Sequence, residues 1–410
     1  MNRVKLGEMA EFSTGPFGSQ LHKSDYVAKG IPVLMPQDID TNRSFTVGVQ
    51  IDSADYQRLS RHALKGDDIV FARRGEVDKH AFIRERDLPA LCGTGCLRVR
   101  VDAKKANPEY VSYCLNRPEA KAHLRSNAVG SNMPNLNTDI LAGVEVLLPD
   151  RREQDAVVSL LSAIDAKIET NNKTIAELDS LARAVYDYWF VRRDVPADWE
   201  HVKVIDLVEI DRGVSYSAPD LADEGLPMLN LASFNTDASI KLAGTKHLSC
   251  NVQASKLLAT ADLVMCVTQQ TAIDPTGELD VIAKTFLVPE VFETAPTFSM
   301  DVVRLKERRV GARFLVNQMM RRADYHRFAG GYANGTKIKH LDVEGALSFS
   351  VALPPNGDPF ISRYADLSLA WHKEQSALLG ESMRLASIRD YLLPMLMNGQ
   401  VTIDSEAQNA

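Results

Sequence analysis

The sequence predicts an α+β fold: two similar globules joined and spaced by two long antiparallel coiled-coil helices, the whole forming an internal pseudo-two-fold repeat. Three observations predict it. Blocks of the first half return in order in the second; each half alternates short apolar runs with Gly, Pro, Asn and Asp; and each half is followed by a long stretch with heptad spacing. The boundaries that follow are 1–149 for a first globule, 150–195 for a central spacer helix, 196–355 for a second globule and 356–410 for a second spacer helix and tail.

The repeat is legible block by block. Val4 to Phe12 returns as Val202 to Ile210, each closely followed by a glycine, Gly15 and Gly213. Gly30-Ile31-Pro32-Val33-Leu34 is echoed by Gly225-Leu226-Pro227-Met228-Leu229, Asp68-Ile69-Val70-Phe71 by Asp262-Leu263-Val264-Met265, and Val144 to Pro149 by Phe349 to Pro354. Short apolar runs bounded by turn formers read as strands. Tyr110 to Ala128 and Arg313 to Phe328 are the matching helical candidates. Each copy has about 150 residues, an ordinary domain size. Duplication by itself carries no chemistry.

After each copy the period changes. From Arg151 to Val191 there is no Pro or Gly, and Val157, Leu161, Ile164, Ile168, Ile175, Leu178, Ala182, Val185 and Trp189 follow a three-four alternation, with Asn171 filling one seam position. The same frame fits Leu367, Trp371, Leu378, Leu385, Ile388 and Leu392, with Glu374 and Glu381 in the seam. A helix leading out of one globule and a helix leading out of the other must run antiparallel if they pair. A polar residue in such a seam fixes register at some cost in stability. A helical hairpin that buries ordinary core is the plainer alternative.

Composition bounds the function. The 410 residues are 45% hydrophobic, enough for more than one core. No basic start followed by an apolar stretch and no run of bilayer-spanning length is present, so a soluble, cytoplasmic protein is expected. The five cysteines, Cys92, Cys96, Cys114, Cys250 and Cys266, are odd in number and imply no disulfide framework. A net charge of -7 requires any nucleic-acid surface to be local. The sequence holds no Gly-x-x-x-x-Gly-Lys-Ser/Thr phosphate loop and no His-Glu-x-x-His helix. Pro354-Pro355 lacks the flanking residues with which a methyltransferase grips an amine, and Asp102-Ala103-Lys104 reads as an exposed turn. Cys92 and Cys96 have no second ligand pair at zinc-like spacing. A non-catalytic chain without metal or cofactor is expected.

The chain resembles the specificity subunits of Type I restriction-modification systems over nearly its whole length. The resemblance rests on the duplicated Gly-Ile-Pro-Val-Leu type blocks and on Leu148-Pro149 leading through Glu153-Gln154 to the Leu160–Ile168 run. It rests also on Pro196-Ala197-Asp198-Trp199 as the restart of a second domain, and on the closing run from Arg389 to Gly399. The second helix lacks the Glu-Gln start, carrying Trp371 and His372, and the first domain lacks the Trp restart. The resemblance implies two target-recognition domains, each reading one part of a split, asymmetric site in double-stranded DNA. It also implies two adenine-N6 methyltransferase subunits that bind S-adenosylmethionine, and ATP-driven restriction and translocase subunits. Some 30 heptad residues rise on the order of 45 Å, against roughly 34 Å for a turn of B-DNA, so the helices suit a spacer.

Reading base edges requires donors and acceptors on loops held by a rigid core. Candidate loops occupy matched places. In the first copy they are Arg73 to His80, with Arg73, Arg74, Lys79 and His80, and Gly130 to Asn135, with Ser131, Asn132 and Asn135. In the second they are Thr268 to Thr271, with Gln269 and Gln270, and Gly335 to His340, with Lys337, Lys339 and His340. The glycine-started loops add Gln20 and Lys23 in the first copy, and Arg212 and Tyr216 beside Gly213 in the second. Arginine suits guanine, glutamine suits adenine, and the lysines suit phosphate. The different residues at matched loops predict different sequences for the two domains. Two other readings compete: a duplicated coiled-coil scaffold for protein partners that never reads DNA, and a self-sufficient modification enzyme, against which the missing motifs stand.

Overall fold

Asp68–Ala72 is buried at every position, which is why its sequence runs apolar instead of alternating. It sits inside a four-stranded antiparallel sheet ordered Ala10–Thr14, Cys96–Val101, Asp68–Ala72, His80–Phe82. The computed structural model describes residues 2–40, 43–130, 134–191, 196–270, 281–401 and 403, and of Gln270 only the backbone. It divides into two units, 1–166 with 385–410, and 167–384.

In unit one, Asn2–Lys5 pairs with Glu145–Leu148, so the two ends of the first repeat lie side by side, Val4 opposite Val146. A second sheet is ordered Tyr26–Val27, Val49–Ile51, Ile31–Leu34, Leu91–Cys92, with the last pair parallel. Unit two repeats this strand for strand. Glu200–Lys203 pairs with Ser350–Leu353; Val208–Arg212, Val302–Glu307, Leu263–Cys266 and Thr285–Leu287 form the four-stranded sheet; and Leu226–Leu229 again takes a parallel neighbour, Thr297–Phe298. The recurrent sequence blocks are therefore the same strands. Both helical candidates are broken in two, into Pro108–Leu115 and Pro118–Asn127, and into Ala312–Met320 and Ala323–Gly330. Pro118 sits in the first turn of its helix, where a missing N–H costs nothing; the second break has no proline.

The two long helices span Arg151–Tyr186 and Pro359–Met397, the first running on into a π turn over Asp187–Val191. They pair in opposite directions within each unit. In unit one, Arg389 Nη1 donates to Asp165 Oδ1 at 2.8 Å, and Val157 and Leu161 share a core with Leu393, Leu396 and Met397. In unit two, the buried Asn171 amide donates to Glu381 Oε2 at 2.8 Å and Ser382 Oγ at 3.3 Å, Gln375 Nε2 reaches Ile175 O at 3.2 Å, and Tyr186 meets Tyr364.

The expected seam of the first helix holds for Leu161, Ile164 and Asn171, which are buried, and for Ile168, Ile175 and Leu178, which are half-buried. Near its end Tyr186 and Phe190 are buried while Val185 and Trp189 are only partly so. The inward face has moved by one residue at Tyr186, just before the π turn. The seam of the second helix needs correction at three positions, Leu367, Glu374 and Ile388. Leu367 and Ile388 are exposed at 41% and 49%, Glu374 is exposed, and Trp371, Leu378, Leu385 and Leu392 are half-buried. Ser368, His372, Ser382, Arg389 and Leu393, each one residue after an expected position, are buried, as are Ile361, Tyr364, Ala365, Ser376, Leu396 and Met397. This seam is largely small or polar, so apolar periodicity pointed to the neighbouring stripe.

Candidate functional site

The candidate loops of each copy, distant in sequence, come together. In unit one, Leu136 N donates to Arg73 O at 2.9 Å, Arg74 bridges to Asn135, and Asn135 and Val129 exchange both backbone bonds at 2.9 Å. Unit two builds the same element as a three-stranded sheet, in which Thr268–Gln270 pairs with Ile338–Leu341, and that strand with Ala333–Asn334. Leu341 N donates to Val267 O at 2.9 Å, the counterpart of the Leu136 bond. Arg74 thus corresponds to Thr268, and Asn135 to His340.

A turn before the following strand anchors each element. In unit one, Arg73 N donates to Gly95 O at 2.8 Å and Gly15 N to Cys96 O at 3.0 Å. A Cβ on Gly15 would lie 1.9 Å from Gly93 O, so only glycine allows this approach. In unit two, Val267 N donates to Asp301 O at 2.9 Å, Thr268 Oγ1 to Asp301 Oδ1 at 2.8 Å, and Val214 bridges to Ser299. The glycine-started loop therefore meets the strand-edge element in both units. The sequence did not single out Gly93-Thr94-Gly95, Ser299 or Asp301; their matching place before corresponding strands was the available signal.

Taken residue by residue, the structure divides the candidates. Arg74 is exposed, and its Nε donates to Asn135 Oδ1 at 3.1 Å, which fixes the guanidinium on the strand edge. Arg73 is half-buried, its Nε enclosed without a hydrogen-bond partner among the described residues. Lys79 is half-buried and ion-paired to Glu76 at 2.5 Å. Gln20 is half-buried, its Oε1 accepting from Phe17 N at 3.1 Å and Arg61 Nη2 at 3.2 Å, while Lys23 is exposed. Arg212 is exposed, and Tyr216 accepts from Lys246 Nζ at 3.1 Å. His340 is exposed and Lys339 half-buried on the Ile338–Leu341 strand, and Lys337 is exposed just before it. Ser131 and Asn132 lie outside the described residues, as does the side chain of Gln270.

Two candidates are corrected. His80 is 2% exposed, bonded through Nε2 to Ser112 Oγ at 2.9 Å and packed against Phe71. Burial pushes its imidazole down to about 3, so it is a neutral core group. Gln269 is 6% exposed, and its Oε1 accepts from Val281 N and Ile282 N at 3.1 and 3.3 Å, holding the chain as it enters the next strand. Both look inward because partners remote in sequence, Ser112 for His80 and the Val281 and Ile282 amides for Gln269, satisfy their polar atoms inside the fold.

The exposed or half-buried groups left on each element are a guanidinium and an amide in unit one, and lysines and an imidazole in unit two. Such groups match base edges and phosphates. No cluster of three or more His, Cys, Asp or Glu suited to a metal occurs among the described residues, and no helix among them is long and apolar enough to cross a membrane.

Fold and site together define a duplicated α+β protein, with one polar strand-edge element in each half. Residues 1–180 match the family model for the Type I restriction modification DNA specificity domain. The chain is 22% identical over 320 residues to the Type I restriction enzyme MjaIX specificity subunit of Methanocaldococcus jannaschii, an alignment covering 72% of this chain and 69% of that one. It is 26% identical over 157 residues to the StySPI specificity subunit of Salmonella potsdam, covering 35% and 33%. Its fold is similar to that of the Type I restriction-modification S subunit from M. genitalium, with a TM-score of 0.59 at 12% identity over 96% of this chain and 95% of that one. Its first 180 residues are thus a Type I restriction modification DNA specificity domain, and the chain as a whole is similar to the specificity subunits of such systems.

Proposed function

We propose that each unit reads one part of a bipartite, asymmetric site in double-stranded DNA through its strand-edge element, Arg74 with Asn135 in one and Ile338–Leu341 in the other. The observation that carries this reading is the repetition of one backbone frame bearing different exposed groups. A repeated frame gives two heads of like geometry, and different side chains give them different sequences. Lys337 and Lys339 serve as phosphate contacts, with Lys23, Arg73, Lys79, Arg212 and Tyr216 at the margins.

In the same reading, the domains are 1–149 and 196–355, and the paired helices set the separation of the two half-sites. Two methyltransferase subunits, which bind S-adenosylmethionine themselves, and restriction and translocase subunits complete the complex in the cytoplasm. The net charge of -7 fits a subunit that shares phosphate contacts with its partners. Footprinting the assembled complex on bipartite target DNA tests this. Two protected patches separated by a less protected spacer are expected; no sequence-dependent protection would favour the scaffold reading.

A further inference from the structure

Unit two contains a cavity of about 660 Å³ between Ala312–Met320, the 235–240 loop and both long helices. The same place in unit one is filled. There Arg43, 3% exposed, inserts its guanidinium 3.5 Å from the Tyr113 ring centroid and 5.5 Å from that of Phe82, and pairs with Glu109 at 3.1 Å. Arg43 lies inside a small loop closed by the Ile39–Phe45 bridge and has φ 62°. Its counterpart in unit two, inside the Phe234–Ile240 bridge with φ 66°, is Ala238. Phe82, Glu109 and Tyr113 correspond to Leu287, Phe314 and Gln318, because His80–Ser112 and Thr285–Asn317 are the same hydrogen bond in the two copies, at 2.9 Å each. Ala238, Leu287, Phe314 and Gln318 all line the cavity.

The change from arginine to alanine is matched by a change in lining chemistry. The carboxylate of Glu109 has become a phenyl ring and the tyrosine an amide, so the groups that hold Arg43 in unit one have no counterpart here. Of the carboxylates lining the cavity, Asp179 is paired with Arg321, and Asp237 accepts from Ser239 N and Oγ. Gln318 is 7% exposed with its Oε1 unpartnered, and Ser376 is 2% exposed with its Oγ unpartnered, among the described residues. His372, also lining, bonds through Nε2 to Val288 O at 3.0 Å, and burial lowers its pKa, so the neutral ring keeps Nδ1 as an acceptor. The nearby cation Arg321 is already neutralised by Asp179. Trp371, Phe314 and Leu287 supply apolar wall. Acceptors set in aromatic and aliphatic wall, within a volume of the roughly 300–1,000 Å³ typical of ligand sites, define a binding pocket.

We propose that this cavity is a binding site for a small, flat, neutral molecule bearing an NH2 group, which donates to Gln318 Oε1 and Ser376 Oγ while its ring packs on Trp371 and Phe314. The site is independent of the DNA-reading element, and no contact made there enters the reading of either half-site.

Titration of adenine into the full chain without its partners tests the proposal, with purine, which lacks the amino group, alongside. Saturable adenine binding is expected, with purine about a hundredfold weaker, the equivalent of two lost hydrogen bonds. Gln318→Met should weaken adenine about tenfold while leaving the melting temperature of the free chain unchanged or raised, since it removes an unpaired acceptor. Ala238→Arg, which supplies the side chain that unit one carries, should abolish binding; Ser376→Ala gives a second reading of the polar contacts if either variant fails to fold. Absence of saturable adenine binding, equal affinity for adenine and purine, or unchanged affinity in both Gln318→Met and Ser376→Ala would overturn it.

Discussion

Arg74 offers the sharpest test of how the first head reads DNA. Its Nε is committed to Asn135 Oδ1 at 3.1 Å, which holds the guanidinium plane on an exposed strand edge and leaves the Nη pair to face a base or a phosphate. A fork on guanine contributes about 1–3 kcal/mol of discrimination, so Arg74→Ala should lower kcat/KM for methylation of the target by about 5- to 150-fold. The loss should be confined to substrates carrying the correct first half-site, and variants in that half-site should no longer be distinguished. Arg74→Lys keeps the charge but not the fork and should behave like alanine. Methylation rates on a panel of oligonucleotides substituted one position at a time, repeated across a salt series, provide the assay. Uniform weakening over the whole panel, with the salt slope reduced by about one and Arg74→Lys restoring activity, would show a phosphate clamp and refute base reading.

Three further outcomes follow from the scaffold. Asn171→Ala removes hydrogen bonds to Glu381 and Ser382 within the helix pair, but Glu381 keeps Lys167 at 3.1 Å; a loss of about 1–2 kcal/mol in denaturant melts is expected, and no loss would remove this contact from the account. Leu367→Gln, on an exposed position, should alter stability by less than about 0.5 kcal/mol, whereas Ala365→Glu should cost about 3 kcal/mol or more; the reverse order would restore the earlier seam. Burial raises the Asp211 carboxyl, but Lys256, Arg304 and Lys306 outweigh that and hold it down to about 2. Its folded value lies below its unfolded value, so its stabilisation of about 2 kcal/mol is present above pH 4 and is lost as pH falls towards 2. Asp211→Asn should flatten the dependence of melting temperature on pH over that window.

The repeat was legible because strand-forming residues recur where the same buried sheet recurs: the Asp68–Ala72 and Leu263–Cys266 strands need β-branched and apolar side chains on both faces. The seam of the first long helix was equally open to reading, since Leu161, Ile164, Ile168 and Ile175 advertise it. Its partner was misread because Ser368, His372, Ser382 and Arg389 carry the contacts there while Leu367 and Ile388 face outward. Hydrophobic periodicity reports burial only where burial is apolar. The site shows the same boundary. Loop positions could be inferred from matched spacing, yet whether His80 and Gln269 faced in or out depended on Ser112 and on the Val281 and Ile282 amides, partners remote in sequence. The open slot beside Ala238 was beyond reach for that reason: only pairing it with Arg43 through the two loop bridges shows that a side chain is missing.

Replacing residues 1–149 with the corresponding domain of a relative, then mapping N6-methyladenine on DNA modified by the reassembled complex, asks directly whether two independent readers share one chain. A new sequence in one part of the modified site, with the other part unchanged, is the predicted result. Methylation at sites altered in both parts, or unaltered in either, would contradict it.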